Sequence, residues 1–174
     1  FKYLNTFLED TSFYIGENPI EAGFYTKLKW KVTPSFIIEP GMRYNYYSVY
    51  SSTPYIDLRL GTKYLLTDDR YINIAFGNYH QFIQTVQDDY NPTILDSWLA
   101  VDNSVDPAEA QQVVIGYEEY IQDIYKIQVE AYYKSLQNML TFEDMRSSTD
   151  AEVSDEKVSD TFTPADGYAY GLEF

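Results

Sequence analysis

Six consecutive segments of the chain alternate apolar and polar side chains, and this period of two restricts the fold more than any other feature. In residues 24–32 the even positions are mostly apolar, while the odd positions carry Tyr25, Lys27, Lys29 and Lys31. The alternation recurs at residues 36–47, 56–66, 71–82, 113–118 and 127–134, and again at 168–174. A period of two places alternate side chains on opposite faces of a β-strand. The sequence therefore predicts an all-β fold.

The connections between these segments alternate in length. Short turns are predicted at residues 33–34, 67–69 and 122–123, and long polar loops at 47–55, 84–110 and 141–166. The first three strands approach the roughly 9–11 residues that a tilted strand needs to cross a bilayer. Short turns on one side and long loops on the other are typical of outer-membrane barrels. We expect an antiparallel transmembrane β-barrel fold, with about 7–8 strands in one domain over residues 1–174.

The two predicted faces differ in chemistry. The apolar face, expected to contact outer-membrane lipid, carries Leu28, Trp30, Ile38, Met42, Leu58, Leu60, Ile74, Ile115 and Val129. The polar face, expected to face the lumen, carries Glu39, Arg43, Asp57, Arg59, Lys63, Glu118 and Glu130. Aromatic residues on the apolar face lie near both ends of the strands, as in the girdles of membrane barrels. Several glycines fall on the polar face, either because the wall packs against an internal plug or because they relieve crowding in a curved sheet.

Composition and charge exclude several classes of protein. A mean hydropathy of −0.38 excludes a bundle of membrane helices, and 18% aromatic residues exclude disorder. The net charge is −15, and the loops at 84–111 and 141–166 carry 12 of these net negative charges. Phosphate recognition needs clustered Lys and Arg, so no nucleic-acid partner is expected.

Residues for catalysis or cofactor binding are sparse. The chain has no cysteine, which excludes a Cys-His arrangement, and with a single histidine, His80, we expect no Ser-His-Asp arrangement either. We expect no enzymatic activity and no cofactor. His80 is expected to be a polar residue at the membrane interface, not a metal ligand. The acidic run at residues 144–160 lacks the order of an EF-hand loop, so no metal site is predicted.

Five segments in register resemble the barrel of TonB-dependent outer-membrane receptors, particularly the group with a carboxypeptidase-regulatory-like extension before the plug. Residues 38–47, Ile-Glu-Pro-Gly-Met-Arg-Tyr-Asn-Tyr-Tyr, are similar to the family's strand that begins Pro-Gly-x-Arg-Tyr. Residues 56–60, 75–81 and 107–118 follow in the family's order, as does the pair formed by 129–140 and 167–173. The resemblance covers residues 22–174.

The resemblance implies a function as well as a fold. Members of the family are outer-membrane transporters of Gram-negative cells that import iron–siderophore complexes, cobalamin, glycans or peptides. They use a 22-strand barrel closed by a plug domain, and the TonB complex supplies the energy. The expected partners of this chain are therefore the plug domain, the remaining strands of the parent, the TonB complex through regions not present here, and a small-molecule or glycan ligand. With about 7–8 strands against the family's 22, the resemblance implies that this chain is a partial barrel, a middle section of the wall.

Two other interpretations stay open at the level of sequence. A self-contained eight-stranded outer-membrane barrel would have a binding, adhesive or structural role, because side chains fill so narrow a barrel. A soluble β-sandwich binding module would show similar alternation.

The best candidate for ligand contact is the loop that contains Tyr90, Asp96, Trp98 and Leu99. Trp98 and Leu99 are apolar residues in an acidic loop, which suggests an exposed contact surface. An equally good interpretation is that Trp98 packs the loop onto the barrel rim.

Overall fold

The computed structural model describes residues 6–8, 11–13, 19–50, 54–86, 97–122, 124–142 and 158–174. Its strands are β1 (Thr6–Leu8), β2 (Thr11–Phe13), β3 (Glu21–Lys27), β4 (Trp30–Thr33), β5 (Phe36–Tyr47), β6 (Tyr55–Thr67), β7 (Arg70–Gln81), β8 (Ile83–Val86), β9 (Ser97–Ala100), β10 (Ala108–Ile121), β11 (Tyr125–Phe142) and β12 (Phe162–Glu173). One turn of 3-10 helix, Ser48–Tyr50, follows β5, and a single α-helical turn, α1 (Val158–Thr161), precedes β12.

Eight strands form one antiparallel sheet in which neighbours along the chain are neighbours in space. The order is β12-β11-β10-β7-β6-β5-β3, with β4 also paired to β5. Among the described residues, the outer strands β12 and β3 do not pair with each other, so the sheet is open. The partial barrel predicted from sequence is confirmed. The sandwich interpretation requires two sheets packed face to face, whereas these eight strands form one continuous sheet.

The two faces of the sheet separate as the alternation predicts. Met42 pairs with Leu58 across β5 and β6, and Leu60 pairs with Phe76 across β6 and β7. These apolar side chains are exposed, Leu58 at 53%, and so is Ile115 on the same face of β10, at 52%. On the other face Asp57 is only 3% exposed. Apolar side chains exposed beside buried polar ones invert the arrangement of a water-soluble protein and fit a strand in lipid.

Some predicted strand boundaries are wrong. The first strand does not run unbroken through residues 24–32, because β3 and β4 are separated at Leu28, whose N–H donates to the Pro40 carbonyl at 3.0 Å. Ahead of the first alternating segment, residues 11–13 form β2, which pairs with β1. The long connection at 84–110 contains the hairpin β8–β9, and β12 begins at Phe162 instead of Tyr168. Short polar strands of this kind lack the long alternation that a sequence prediction needs.

The buried apolar core lies at the long-loop end of the sheet. We call it the loop-end cluster; it comprises Tyr47, Phe82, Leu99, Val101, Val105, Leu140, Val158 and Phe162. The rings of Tyr47 and Phe82 are stacked with centroids 4.7 Å apart. Residues from three different long connections therefore share one core. None of the helices in the described ranges is long and apolar enough to cross a membrane.

Candidate functional site

A hydrogen-bonded polar chain crosses the polar face just below the loop-end cluster. The Arg43 Nε donates to Asn45 Oδ1 at 2.6 Å, and the Asn45 amide donates to Asp57 Oδ2 at 2.9 Å. The other Asp57 oxygen lies 2.7 Å from Nδ1 of His80. Glu109 Oε2 lies 4.0 Å from the opposite ring nitrogen of His80. Asp57 is thus buried with both carboxylate oxygens in contact with polar partners, which offsets its loss of hydration.

His80 reaches this chain because the pairing of β6 with β7 ends at Arg59 and Gly77. Beyond that point the Asn78 side chain takes over the ladder: its Oδ1 accepts from the Leu58 N–H at 2.7 Å and its amide donates to the Ile56 carbonyl at 3.1 Å. Strict alternation from Ile74 onward would have put His80 on the apolar face. The His80 side chain is instead 13% exposed and contacts Asp57. Its level at the membrane interface stays a prediction.

Ion pairs stabilise the polar face nearer the short turns. Glu39 accepts from Lys27 at 2.5 Å and from Lys29 at 3.2 Å. Glu118 lies 3.5 Å from Lys63 and 3.7 Å from Lys126. These carboxylates are each shared by two cations that come from different strands or strand segments.

Arg59 is held differently. Its guanidinium carbon lies 4.7 Å from the centre of the Tyr79 ring. The Tyr79 ring in turn lies flat over Gly77, where an added Cβ would approach the phenolic oxygen to 2.6 Å. Glycine at this position therefore leaves the space that the ring needs. This contact favours the second explanation of the polar-face glycines, that they relieve crowding among side chains of the wall.

Asp102 joins the long connections at the other end of the strands. Its carboxylate accepts from the Ser104 N–H at 2.8 Å and from the Val158 N–H at 3.0 Å. The Tyr50 hydroxyl, which has one proton to donate, lies within hydrogen-bond reach of both the Asp102 and the Val105 carbonyl. Burial, with smaller contributions from neighbouring tyrosine and aspartate side chains, raises the pKa of Tyr50 above its usual range. Tyr50, Asp102 and Val158, one residue from each long connection, are consequently tied together.

Gln84 ties the hairpin β8–β9 to β11. Its side-chain oxygen accepts from the Leu140 N–H at 3.0 Å, and its amide donates to the Asn138 carbonyl at 3.2 Å. Asn138 has a φ of 56° and lies where the register of β11 with β12 shifts. Asparagine tolerates this left-handed conformation better than most residues. The irregularity lies two residues before Leu140, which belongs to the loop-end cluster.

The predicted ligand residues fall in different places. Tyr90 and Asp96 lie outside the described residues. The backbone of Trp98 belongs to β9, opposite Thr85, and its side chain is not described. Leu99 is 2% exposed inside the loop-end cluster, so the prediction that it is an exposed contact residue is wrong. An apolar residue in a long acidic loop is as consistent with a local core as with a binding surface, and sequence pattern does not separate the two.

The polar-face residues predicted to line the lumen share one side of the sheet. Arg43 pairs with Asp57, and Gly61 lies between Glu39 and Ala75. Sequence reasoning missed Asn45 and Asn78, whose amides connect neighbouring strands, because an isolated asparagine in a strand carries no distinctive signal. Within the described part of the chain, no group of three or more His, Asp or Glu side chains is placed to hold a metal ion.

Comparison with known proteins gives the family. The model of the TonB dependent receptor-like β-barrel matches residues 3–174. The chain belongs to this family. Receptors of the family lie in the outer membrane of Gram-negative bacteria, as the resemblance of the five segments implied. No curated protein sequence matches the chain.

A solved structure shows the same fold at low sequence identity. The crystal structure of the siderophore receptor PirA from Pseudomonas aeruginosa superposes with a TM-score of 0.65 at 10% identity. The match covers 88% of this chain and 30% of the PirA chain. The chain thus spans about a third of the length of that receptor, and the likeness concerns the strand arrangement of a receptor barrel.

Proposed function

We propose that the parent protein is an outer-membrane receptor that imports a ligand, and that this chain forms a section of its wall. The observation that carries the proposal is the separation of an exposed apolar face from a hydrogen-bonded polar face across one sheet of a receptor-barrel family. An exposed apolar face suits lipid, and a polar face suits a lumen filled by water or protein. In this arrangement Glu39, Arg43, Asp57, Arg59, Lys63, Glu118 and Glu130 face the lumen.

Family membership supports the remaining partners. A plug domain, the other barrel strands and the TonB complex would come from outside this chain. The ligand would belong to the siderophore, glycan, cobalamin or peptide class, and the wall itself would catalyse nothing. The loop-end cluster supports ligand capture at the long-loop end, because it holds both ends of residues 87–96 in a fixed hairpin, with Val86 opposite Ser97.

Accessibility of single cysteines in whole cells tests the orientation. The chain contains no cysteine, so Asn103→Cys at the long-loop end and Asp68→Cys at a short turn are matched probes. Both side chains are exposed. A membrane-impermeant maleimide should label Asn103→Cys in intact cells and Asp68→Cys only after the outer membrane is opened. Labelling of both positions in intact cells, or recovery of the parent outside the outer-membrane fraction, would contradict the proposal.

Uptake tests the transport step. Cells that lack the parent should lose accumulation of one member of a panel of radiolabelled ferric siderophores, cobalamin, oligosaccharides and peptides. Accumulation should also stop in parent-containing cells when an uncoupler collapses the inner-membrane proton gradient. Unchanged accumulation of every class would contradict the transport function while leaving the membrane assignment intact.

A further inference from the structure

One row of cross-strand partners on the polar face is basic. Starting at β3 and ending at β11, its successive members are Lys27, Gly41, Arg59, Gly77, Gln112 and Lys134. The row contains three cations and no carboxylate. With neighbouring strands about 4.8 Å apart, it extends for about 24 Å across the sheet.

Two of these cations have no carboxylate partner among the described residues. Lys27 pairs with Glu39 at 2.5 Å, and most other described cations of the sheet are also paired. Neither Arg59 nor Lys134 has a described carboxylate within ion-pairing distance. Arg59 is instead held on the Tyr79 ring, an arrangement that orients the guanidinium while leaving its N–H groups available. An oriented, unpaired guanidinium is well suited to bind a carboxylate through two parallel hydrogen bonds.

Two hollows lie along this row, one on each side of Tyr79. The first has a volume of about 330 Å³, and its lining includes Lys27, Glu39, Arg43, Arg59, Gly61 and Ala75. The second has a volume of about 400 Å³, and its lining includes Glu109, Gln112 and Lys134. We call the two together the basic trough. Gly61 and Ala75 present little side chain, so a polypeptide backbone can approach the sheet closely there.

We propose that the basic trough binds an extended acidic segment of polypeptide that crosses the polar face inside the parent barrel. Charge complementarity is the first argument, since no carboxylate of the described residues pairs with Arg59 or Lys134. Glu39, which also lines the first hollow, pairs with Lys27 and Lys29, and Glu109 in the second lies 4.0 Å from His80. Spacing is the second. Arg59 and Lys134 are three strand intervals apart, about 14 Å, and carboxylates four residues apart on one face of an extended chain are separated by a similar distance.

An elongated partner fits this geometry better than a compact one. A small carboxylate fills one hollow and contacts one of the two cations, whereas a segment with acids at positions i and i+4 contacts both. The proposal rests on the proposed function, because the polar face has to be the inner surface of the parent for such a segment to lie there.

Photo-crosslinking in the full-length parent tests the inference. A benzophenone amino acid replaces Ala75, which is exposed on the floor of the first hollow. Irradiation of outer membranes, followed by mass spectrometry of the digest, should identify a peptide from elsewhere in the parent with two Asp or Glu residues four apart. Arg59→Glu should lower the yield of this crosslink several-fold. Lys31→Glu is the matched control. Lys31 lies on the same face, also has no described carboxylate partner and lies outside the row, so the crosslink yield of this variant should be unchanged.

Four outcomes would overturn the inference: a crosslinked peptide without acidic residues, an adduct with a diffusible molecule only, no adduct in a folded parent, or equal yields for Arg59→Glu and Lys31→Glu. Heat-dependent mobility on gels shows whether each variant has folded. If Arg59→Glu does not fold, Arg59→Gln takes its place, and the same loss of crosslink yield is expected. If the parent is absent from the outer membrane, the proposed function fails. If the parent is folded there and the crosslink result is negative, only this inference fails.

Discussion

Nδ1 of His80 lies 2.7 Å from Oδ1 of Asp57, although β6 and β7 have already stopped pairing at that level. The contact therefore joins two strands where the backbone ladder no longer does. It also places a polar chain directly below the loop-end cluster, since the Tyr55 ring lies 5.0 Å from the His80 ring and 5.3 Å from the Phe82 ring. The long-loop end and the wall are thus connected through side chains.

Removal of the histidine should destabilise this end of the sheet. His80→Ala leaves the buried Asp57 carboxylate with one polar partner fewer, at a cost of about 1–3 kcal/mol in the free energy of unfolding. Urea unfolding of the purified parent in detergent measures the change. Gln137→Ala, an exposed position on β11, serves as the control and should shift the midpoint little. Equal midpoints for both variants would mean that the contact adds no stability.

Charge on the apolar face should block assembly. Leu60 is 40% exposed and pairs with Phe76 on the same face, so Leu60→Arg should cost about 2–4 kcal/mol near the bilayer midplane. Lys63→Gln, three residues away on the polar face, loses a half-exposed ion pair worth less than about 1 kcal/mol. Heat-dependent gel mobility of outer-membrane fractions compares the amounts of folded protein. Similar amounts of folded Leu60→Arg and Lys63→Gln would contradict the assignment of the apolar face to lipid.

Loss of the Asp102 carboxylate should loosen the long-loop end while sparing the wall. Asp102→Ala leaves the Val158 and Ser104 N–H groups without their acceptor. We expect faster hydrogen exchange at residues 99–105 and 158–162 and unchanged exchange in β6, since each lost bond is worth about 1 kcal/mol. The exposed neighbour Asn103, changed to Ala, is the control. Exchange that accelerates equally throughout the sheet would show that the cluster is not a separate unit.

Alkaline pH should weaken the loop-end cluster through Tyr50. Burial raises the pKa of Tyr50 above its ordinary value of 10.0, so the folded state favours the protonated phenol. The stability contributed by this group is complete below pH 10.0 and decreases as the pH rises above it, because the unfolded chain then loses the proton first. Tyr50→Phe should reduce the slope of unfolding free energy against pH above that value. A Tyr25→Phe control, at a 76% exposed position, should keep the slope.

Deletion of residues 87–96 should separate ligand capture from assembly. These residues connect Val86 to Ser97. In the deletion variant they are replaced by Asn-Gly, a pair that closes two-residue β-hairpin turns. Folded protein should remain at normal levels while uptake of the transported ligand decreases. A longer deletion, 87–102, should also lower the amount of folded protein, because it removes Leu99, Val101 and Asp102 from the loop-end cluster. Unchanged uptake after the shorter deletion would exclude Tyr90 and Asp96 from capture.

The sequence predicted the parts of the fold that depend on long alternation. Twelve residues of β5, with Met42 and Arg43 on opposite faces, leave little ambiguity about a strand or its orientation. The loop-end cluster could not be predicted, because Leu99 and Val158 come from separate connections, and only tertiary contact shows that they share a core. The contact of His80 with Asp57 could not be predicted for a related reason: the Asn78 side chain interrupts the ladder, and alternation assumes that the ladder continues.

The hairpin β8–β9 has an evolutionary consequence. Its base is fixed by Gln84 on one strand and by Leu99 and Val101 on the other, so the connection at its tip can change in length and sequence without disturbing either strand. Selection can therefore act on the tip almost independently of the membrane-embedded strands. A lineage with this arrangement can acquire a new specificity while it inherits the same wall.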